Sequence, residues 1–365
     1  MLLVISKKKR IRVLHQVLDP SGIGGVSAEF RALSNSKLNK VYDFRPMILT
    51  DIHPGISWKD IKFYYRRINK TNPDIIHIRG AAIDGLNAVL AAKLARKGKI
   101  LVTVHGMYSD LIYISPLKRM ISKYIVEKLI FNLADGISCV CSNANSRKCF
   151  DKYRKKMLPF VYNRMPHFDL SQKETERMKI RSEYNIDEKS IVALYVGRIT
   201  KEKGLSILLN SINSLRKQWP QKLVFMFVGE GDYLTELKTR LSTLKNRVVF
   251  TGNQKNVDRF YFASDFFIQP SLHENHSISI LEACAAGVPS IVTDCGGNTE
   301  IIHSDIGEIV HTGNSYELTE SIKRMMQSNV RQHYMNNLIN HDFSAFYDDE
   351  VDNALDKVYK KILEL

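Results

Sequence analysis

The chain has 365 residues, of which 44% are apolar and 25% charged, and its net charge is +15. That length makes room for two domains of roughly 100–200 residues each and excludes a small fold held by disulfides or a structural metal. The apolar content excludes a disordered chain.

In the first half, short β-rich apolar runs alternate with helical patterns. IRVLHQVL (11–18), FRPMILT (44–50), IIHI (75–78), ILVTVHG (100–106) and GISCVCS (136–142) read as strands buried on both faces. Helices are expected between and after them, near 25–38, 57–70, 82–97, 116–134 and 143–153. Residues 165–190 are polar, show no strand pattern and read as the connection between domains. The alternation then resumes. Strands are expected at 191–197, 223–229, 248–252, 265–270 and 289–294, and helices near 204–218, 232–244, 278–286 and 315–327. Val351, Leu355, Val358, Tyr359, Ile362 and Leu363 give the end of the chain a helical period. Such winding predicts an α/β architecture of two doubly wound, Rossmann-like domains facing each other across a cleft, 1–170 and 171–343. Helix 344–365 follows them.

The charge is divided unevenly. Residues 1–170 hold 30 Lys and Arg against 12 Asp and Glu, whereas residues 171–365 hold 23 against 26. A cationic first half points to a polyanionic partner: a membrane surface, a lipid-linked diphosphate or nucleic acid. No nucleic-acid-binding module accompanies the charge, so no nucleic acid is expected. The five cysteines form no C-x-x-C and fit reduced thiols. No apolar run nears the roughly 18 residues of a membrane span, and MLLVIS is too short for a signal segment. A cytoplasmic location follows as the expectation.

Chemistry concentrates where strands end. In VGRITKEKG, Arg198 and Lys203 follow a strand, where ligands of doubly wound domains sit, and a guanidinium and an ammonium together suit a diphosphate. In PSLHENHSISILEACAAG, Glu274 lies on a loop, Ser277 is placed to cap a helix from Ile278, and Glu282 falls in that helix. The N–H groups around Ser277 and Ile278 suit an anion, and Glu282 suits a ribose diol. His273 and His276 are one residue short of H-E-x-x-H, so no metal is expected there. Gly22, Gly24 and Gly25 open a strand-to-helix turn, but Ser27 breaks the dinucleotide fingerprint and weakens an oxidoreductase reading. His105 ends a strand beside a glycine.

In order and spacing these residues resemble the retaining GT-B enzymes of glycosyltransferase family 4, of the bacterial surface-polysaccharide type. The matching stretches are Gly24-Gly25, V-H-G at His105, V-G-R-x-x-x-x-K-G at Arg198 and Lys203, V-G-E-G at Gly229 and Gly231, and F-T-G at Gly252. They continue through A-S-D-F-F-I-Q-P-S, E-x7-E at Glu274 and Glu282, and D-C-G-G-N-T-E at Gly296, Gly297 and Glu300. The resemblance implies a hexosyltransferase whose second domain binds a nucleotide sugar, with uridine preferred to guanosine as its base. It implies that Arg198 and Lys203 hold the diphosphate, Glu282 the ribose and Glu274 the sugar, with Asn275, His276, Ser277 and Ile278 around the donor. His105 and Gly24–Gly25 would approach it from an acceptor-binding first domain, onto which the last helix folds back. No metal or other cofactor is implied. A lipid-linked or oligosaccharide acceptor is, and the basic helix 115–131 could rest on an anionic membrane. The family's E-G-F-G is Glu274-Asn275-His276-Ser277 here, and its linker N-G is Asn163-Arg164.

Overall fold

The computed structural model describes residues 10–17, 25–49, 53–111, 113–216, 222–244 and 246–365. The chain divides into two compact units, Met1–Tyr162 with Asp348–Leu365, and Asn163–Tyr347.

In the first unit, strands β1 (Ile11–Val17), β2 (Tyr42–Ile48), β3 (Ile75–Arg79), β4 (Lys99–Val104) and β5 (Gly136–Cys139) form a parallel sheet in the order β2-β1-β3-β4-β5. The continuous apolar runs reflect burial on both faces: every residue of β3 is buried. One face packs on helices that include Trp58–Thr71 and Ile83–Ala95. On the other, the terminal helix Asp348–Glu364 buries Leu355, Val358, Tyr359 and Ile362 against Val13, Tyr42, Leu101 and Leu158.

The second unit holds β6 (Ile191–Val196), β7 (Leu223–Val228), β8 (Val248–Gly252), β9 (Phe266–Gln269), β10 (Ser290–Thr293) and β11 (Gly307–Val310), ordered β11-β10-β9-β6-β7-β8. All these pairs are parallel. From β6 the chain winds outward through β7 and β8, then returns to place β9 on the other side of β6. The β6/β9 seam is therefore the topological switch point, the place where ligands of doubly wound sheets bind.

Three sequence expectations need correction. Residues 165–190 are not a connector, because Lys173–Glu183 is a helix of the second unit. That helix is almost wholly polar and escapes a search for apolar periodicity. It is tied down by ions instead: Arg177 and Arg181 each reach the Asp265 carboxylate, at 2.9 and 2.8 Å. The division falls at Tyr162/Asn163, ahead of the expected 170/171, because Asn163 Nδ2 donates to the His276 carbonyl at 2.8 Å and Met165 N to that of Phe346 at 2.9 Å. The expected helix 143–153 is a short α-turn, Ser142–Asn145, followed by 3-10 turns over Lys148–Lys156.

Candidate active site

The loops at the β6/β9 seam are packed so closely that only glycine fits at several points. At Gly204, with φ +69°, a Cβ would lie 1.7 Å from the Pro270 carbonyl oxygen, so the loop after β6 lies directly on the loop after β9. At Gly296, with φ +57°, a Cβ would lie 1.7 Å from the Glu274 carbonyl oxygen, and the next residue, Gly297, donates its N–H to the Asn275 carbonyl at 2.8 Å. The paired glycines of D-C-G-G thus let the loop after β10 brace the Glu274 segment from behind.

Within this frame Lys203 turns onto Glu274, and their side chains are only 17% and 12% exposed. The same carboxylate oxygen accepts from Gln269 Nε2 at 2.9 Å and from Ser271 Oγ at 3.1 Å. Burial alone would raise the Glu274 pKa. The Lys203 ammonium, with hydrogen bonds from Lys203, Ser271 and Gln269, outweighs burial and holds it below the usual carboxylate value. Glu274 is therefore an ionised, oriented carboxylate at neutral pH.

Arg198 behaves differently. Its side chain is 69% exposed and, among the described residues, meets only Glu202, at 3.3 Å. Its backbone is fixed from below, where the buried Tyr195 hydroxyl donates to the Arg198 carbonyl at 2.6 Å. Burial and the nearby Glu274 charge raise the Tyr195 pKa well above its usual value, while Arg198 opposes them. Tyr195 thus stays a neutral donor.

Ser277 occupies the N-cap position of the helix Ile278–Ala285 with extended backbone, but its hydroxyl makes no capping bond, contrary to expectation. One turn in, Glu282 accepts from the Tyr261 hydroxyl at 2.9 Å. Its pKa is raised to about 7, chiefly by burial and also by the Asp258 charge, against the hydrogen bond from Tyr261, which lowers it. His276 is buried against Phe346, and burial takes its pKa down to about 3 despite Glu274, which makes it a neutral wall. Asn275 is likewise buried.

The second unit therefore brings together Arg198, Lys203, Glu274, Asn275, His276, Ser277, Ile278 and Glu282 on the loops and helix that flank one seam. His105 belongs to the first unit, just past β4, where burial and the Arg79 guanidinium lower its pKa to about 3. It is a neutral hydrogen-bonding ring. Gly24 lies outside the described residues, and Gly25 opens the helix Gly25–Asn35. Among the described residues, the one cluster of metal-ligand type is His303, Asp305 and His341, which includes no member of this site. Sequence reasoning missed Gln269, Ser271 and Tyr261. The first two stood in the quoted I-Q-P-S stretch, Gln269 as the polar last residue of a buried strand and Ser271 two residues on; Tyr261 gave no signal, sitting on a short helix in an apolar run.

Residues 176–341 match the family model of glycosyl transferases group 1, and residues 29–147 match that of Glycosyltransferase Family 4. The chain is similar to the alpha-monoglucosyldiacylglycerol synthase of Streptococcus pneumoniae, at 27% identity over 71% of this chain and 62% of that protein. It is also similar to the UDP-Gal:alpha-D-GlcNAc-diphosphoundecaprenol alpha-1,3-galactosyltransferase of Escherichia coli, at 25% identity over 82% of this chain and 84% of that one. The chain spans 52% to 66% of the length of the first curated relatives that it matches. Among solved structures, Anabaena HepE in complex with UDP-glucose superposes with a TM-score of 0.73 at 17% identity, covering 98% of this chain and 100% of that one. The fold is the GT-B fold of two Rossmann-like domains.

Proposed function

The chain belongs to the group 1 glycosyl transferases, with a family 4 segment in its first half, and from that premise we propose that it moves a hexose or N-acetylhexosamine from a UDP-sugar to a sugar hydroxyl with retention of configuration. The proposed acceptor is a lipid-linked oligosaccharide of bacterial surface-glycan synthesis. The names of the pneumococcal and E. coli relatives support a glycolipid or lipid-diphosphate acceptor, and the UDP-glucose bound to the HepE neighbour supports the donor.

The observation that carries the reading is the ionised Glu274 paired with Lys203 at the switch point, beside the N-terminus of the helix Ile278–Ala285. Lys203 has three N–H donors and gives Glu274 one. The others, the exposed Arg198 fork and the helix N-terminus suit the two phosphates of a donor. In the reaction the bond from the anomeric carbon to the diphosphate breaks, its electron pair leaving on the phosphate oxygen that the cations stabilise. The sugar gains oxocarbenium character, which the Glu274 carboxylate favours. The acceptor oxygen then bonds to the anomeric carbon on the face the diphosphate left, and its proton passes to a departing phosphate oxygen. Glu282 accepts from the ribose hydroxyls. His105 and Gly24–Gly25 keep, as part of the proposal, the donor-facing roles that the resemblance implies. Cations of the chain itself answer the diphosphate charge, so the proposed reaction runs without a divalent metal.

Thermal unfolding of the purified protein with UDP, GDP and their sugar conjugates in EDTA tests this. A ligand at about 100 times its Kd stabilises the native state by roughly 2.7 kcal/mol. The expected result is a rise in Tm with uridine ligands that Arg198→Ala abolishes. A rise with GDP alone would replace the donor, and no rise with any of them would overturn the reading.

A further inference from the structure

Three side chains of metal-ligand type converge in the second unit, at the end of its sheet away from the donor loops. His303 and Asp305 lie in the turn that leads into β11, and His341 follows the helix Ser328–Asn340 as its C-cap. The strands are all parallel, so residues just ahead of β11 stand at the N-terminal end of the sheet, opposite the loops that leave β6 and β9. One ligand atom from each of the three side chains lies within 4.8 Å of the other two. The two imidazole rings have centroids 5.3 Å apart and planes at 81°. A tetrahedral ion bonded at about 2.0–2.1 Å to one nitrogen of each ring sets two such centroids roughly 5 Å apart.

The backbone that carries these ligands is fixed by the protein itself. Asn337 Nδ2 donates to the Asp305 carbonyl at 2.6 Å, which holds the turn against the last turn of the helix, and Phe343 packs on the His341 ring at 4.7 Å. Among the described residues, no hydrogen bond or ion pair joins the three side chains to one another, so their lone pairs are open to an ion. His303 and Asp305 are exposed and His341 is half-buried, which leaves the cluster accessible from solvent. The C-terminus of the 13-residue helix presents the negative end of its dipole there, and that favours a cation. We infer that His303, Asp305 and His341 bind a divalent transition metal, with zinc as the ion that two imidazoles and one carboxylate suit and water completing its sphere. The ion clamps the turn before β11 to the end of the helix. The cluster shares no residue with the donor site, and metal binding is measured without donor or acceptor, so the inference stands apart from the transfer reading.

The test is titration of the full chain, stripped with EDTA and dialysed, with Zn²⁺ in competition with a chromogenic chelator and with Co²⁺ by visible absorption. Saturable Zn²⁺ binding that raises the Tm is expected, together with the d–d bands of four-coordinate Co²⁺. His303→Ala, Asp305→Asn and His341→Ala should each weaken Zn²⁺ binding by at least about tenfold, since loss of even an outer-shell partner of a metal costs that much. His303→Ala and Asp305→Asn, being at exposed positions, should leave the Tm of the metal-free chain unchanged, which separates a lost ligand from a damaged fold. An absence of saturable Zn²⁺ binding would overturn the inference. So would Zn²⁺ binding that survives His303→Ala with His341→Ala, or that Cys149→Ser abolishes, which would assign the ion to the exposed thiol.

Discussion

The two sheets are wound alike, yet they dispose of polar side chains in opposite ways. In the first, His15 on β1, His77 on β3 and Thr103 on β4 are buried and close upon one another through the terminal helix. The Tyr359 hydroxyl lies 3.0 Å from His15 Nε2 and 2.9 Å from His77 Nδ1, and His77 Nε2 lies 2.7 Å from Thr103 Oγ1. Burial, reinforced at both rings by the Arg79 charge, takes their pKa values far below the usual one. Both imidazoles are neutral, one donating to the hydroxyl and the other accepting from it. In the second sheet the Glu274 carboxylate stays ionised, and Lys203 and Arg198 keep donors in reserve. Groups matched among themselves fix a helix in place; groups with donors left over meet a ligand. Burial of a titratable residue therefore says less about function than the donors it has left over.

Substitutions should separate the two designs. Lys203→Ala and Arg198→Ala are each expected to lower turnover on the order of 10²–10³ at saturating donor, the scale of one preorganised donor at a developing charge. Only Lys203→Ala should also lower the Tm, because it leaves the buried Glu274 carboxylate without its cation, whereas Arg198 makes only an exposed pair with Glu202 among the described residues. Equal Tm losses in the two variants would break the distinction. Tyr359→Phe should act in reverse. It removes the hydroxyl that both histidines share and should cost roughly 1–3 kcal/mol of stability in denaturant unfolding, leaving nucleotide Kd unchanged. A Kd that moved with Tyr359→Phe would mean that the network does more than hold the helix.

The same difference explains what could be read in advance. Strands buried on both faces are continuous apolar runs, so ten of the eleven described strands were visible; the missed one, β11, has only four residues, among them a charged Glu308 and an exposed Ile309. Charged residues after strands were visible as well, because position in a doubly wound sheet is itself a signal. Interactions between distant segments were not. Nothing in the spacing couples Tyr359 to His15 and His77, or Tyr261 to Glu282, because those contacts depend on how helices settle on a sheet. Ser277 shows the converse, since the residue type suited a cap and the structure gives its hydroxyl no such bond.

The mildest effect expected concerns the two carboxylates of the second unit, which are displaced in opposite directions. Glu274 lies below its ordinary pKa, so its pairing adds stability above the unfolded value and that stability is lost as pH falls. Glu282, raised to about 7 from an ordinary 4.5 mainly by burial, favours the folded state at low pH, and that contribution is lost as pH rises from the ordinary value through the folded one. Near neutrality Glu282 is thus shared between its two forms. Two ribose hydroxyls donate only to the ionised one, so donor binding should drive its proton off. The affinity for a UDP-sugar, whose diphosphate does not titrate in this range, should fall roughly tenfold for each unit of pH below 7. Calorimetry in buffers of different ionisation enthalpy should register the released proton, and Glu282→Gln should remove both the slope and the release. If the wild-type affinity is flat from pH 8 to about 6, Glu282 is not the ribose ligand, and its hydrogen bond to Tyr261 belongs, like that of His77 to Tyr359, to the groups matched among themselves.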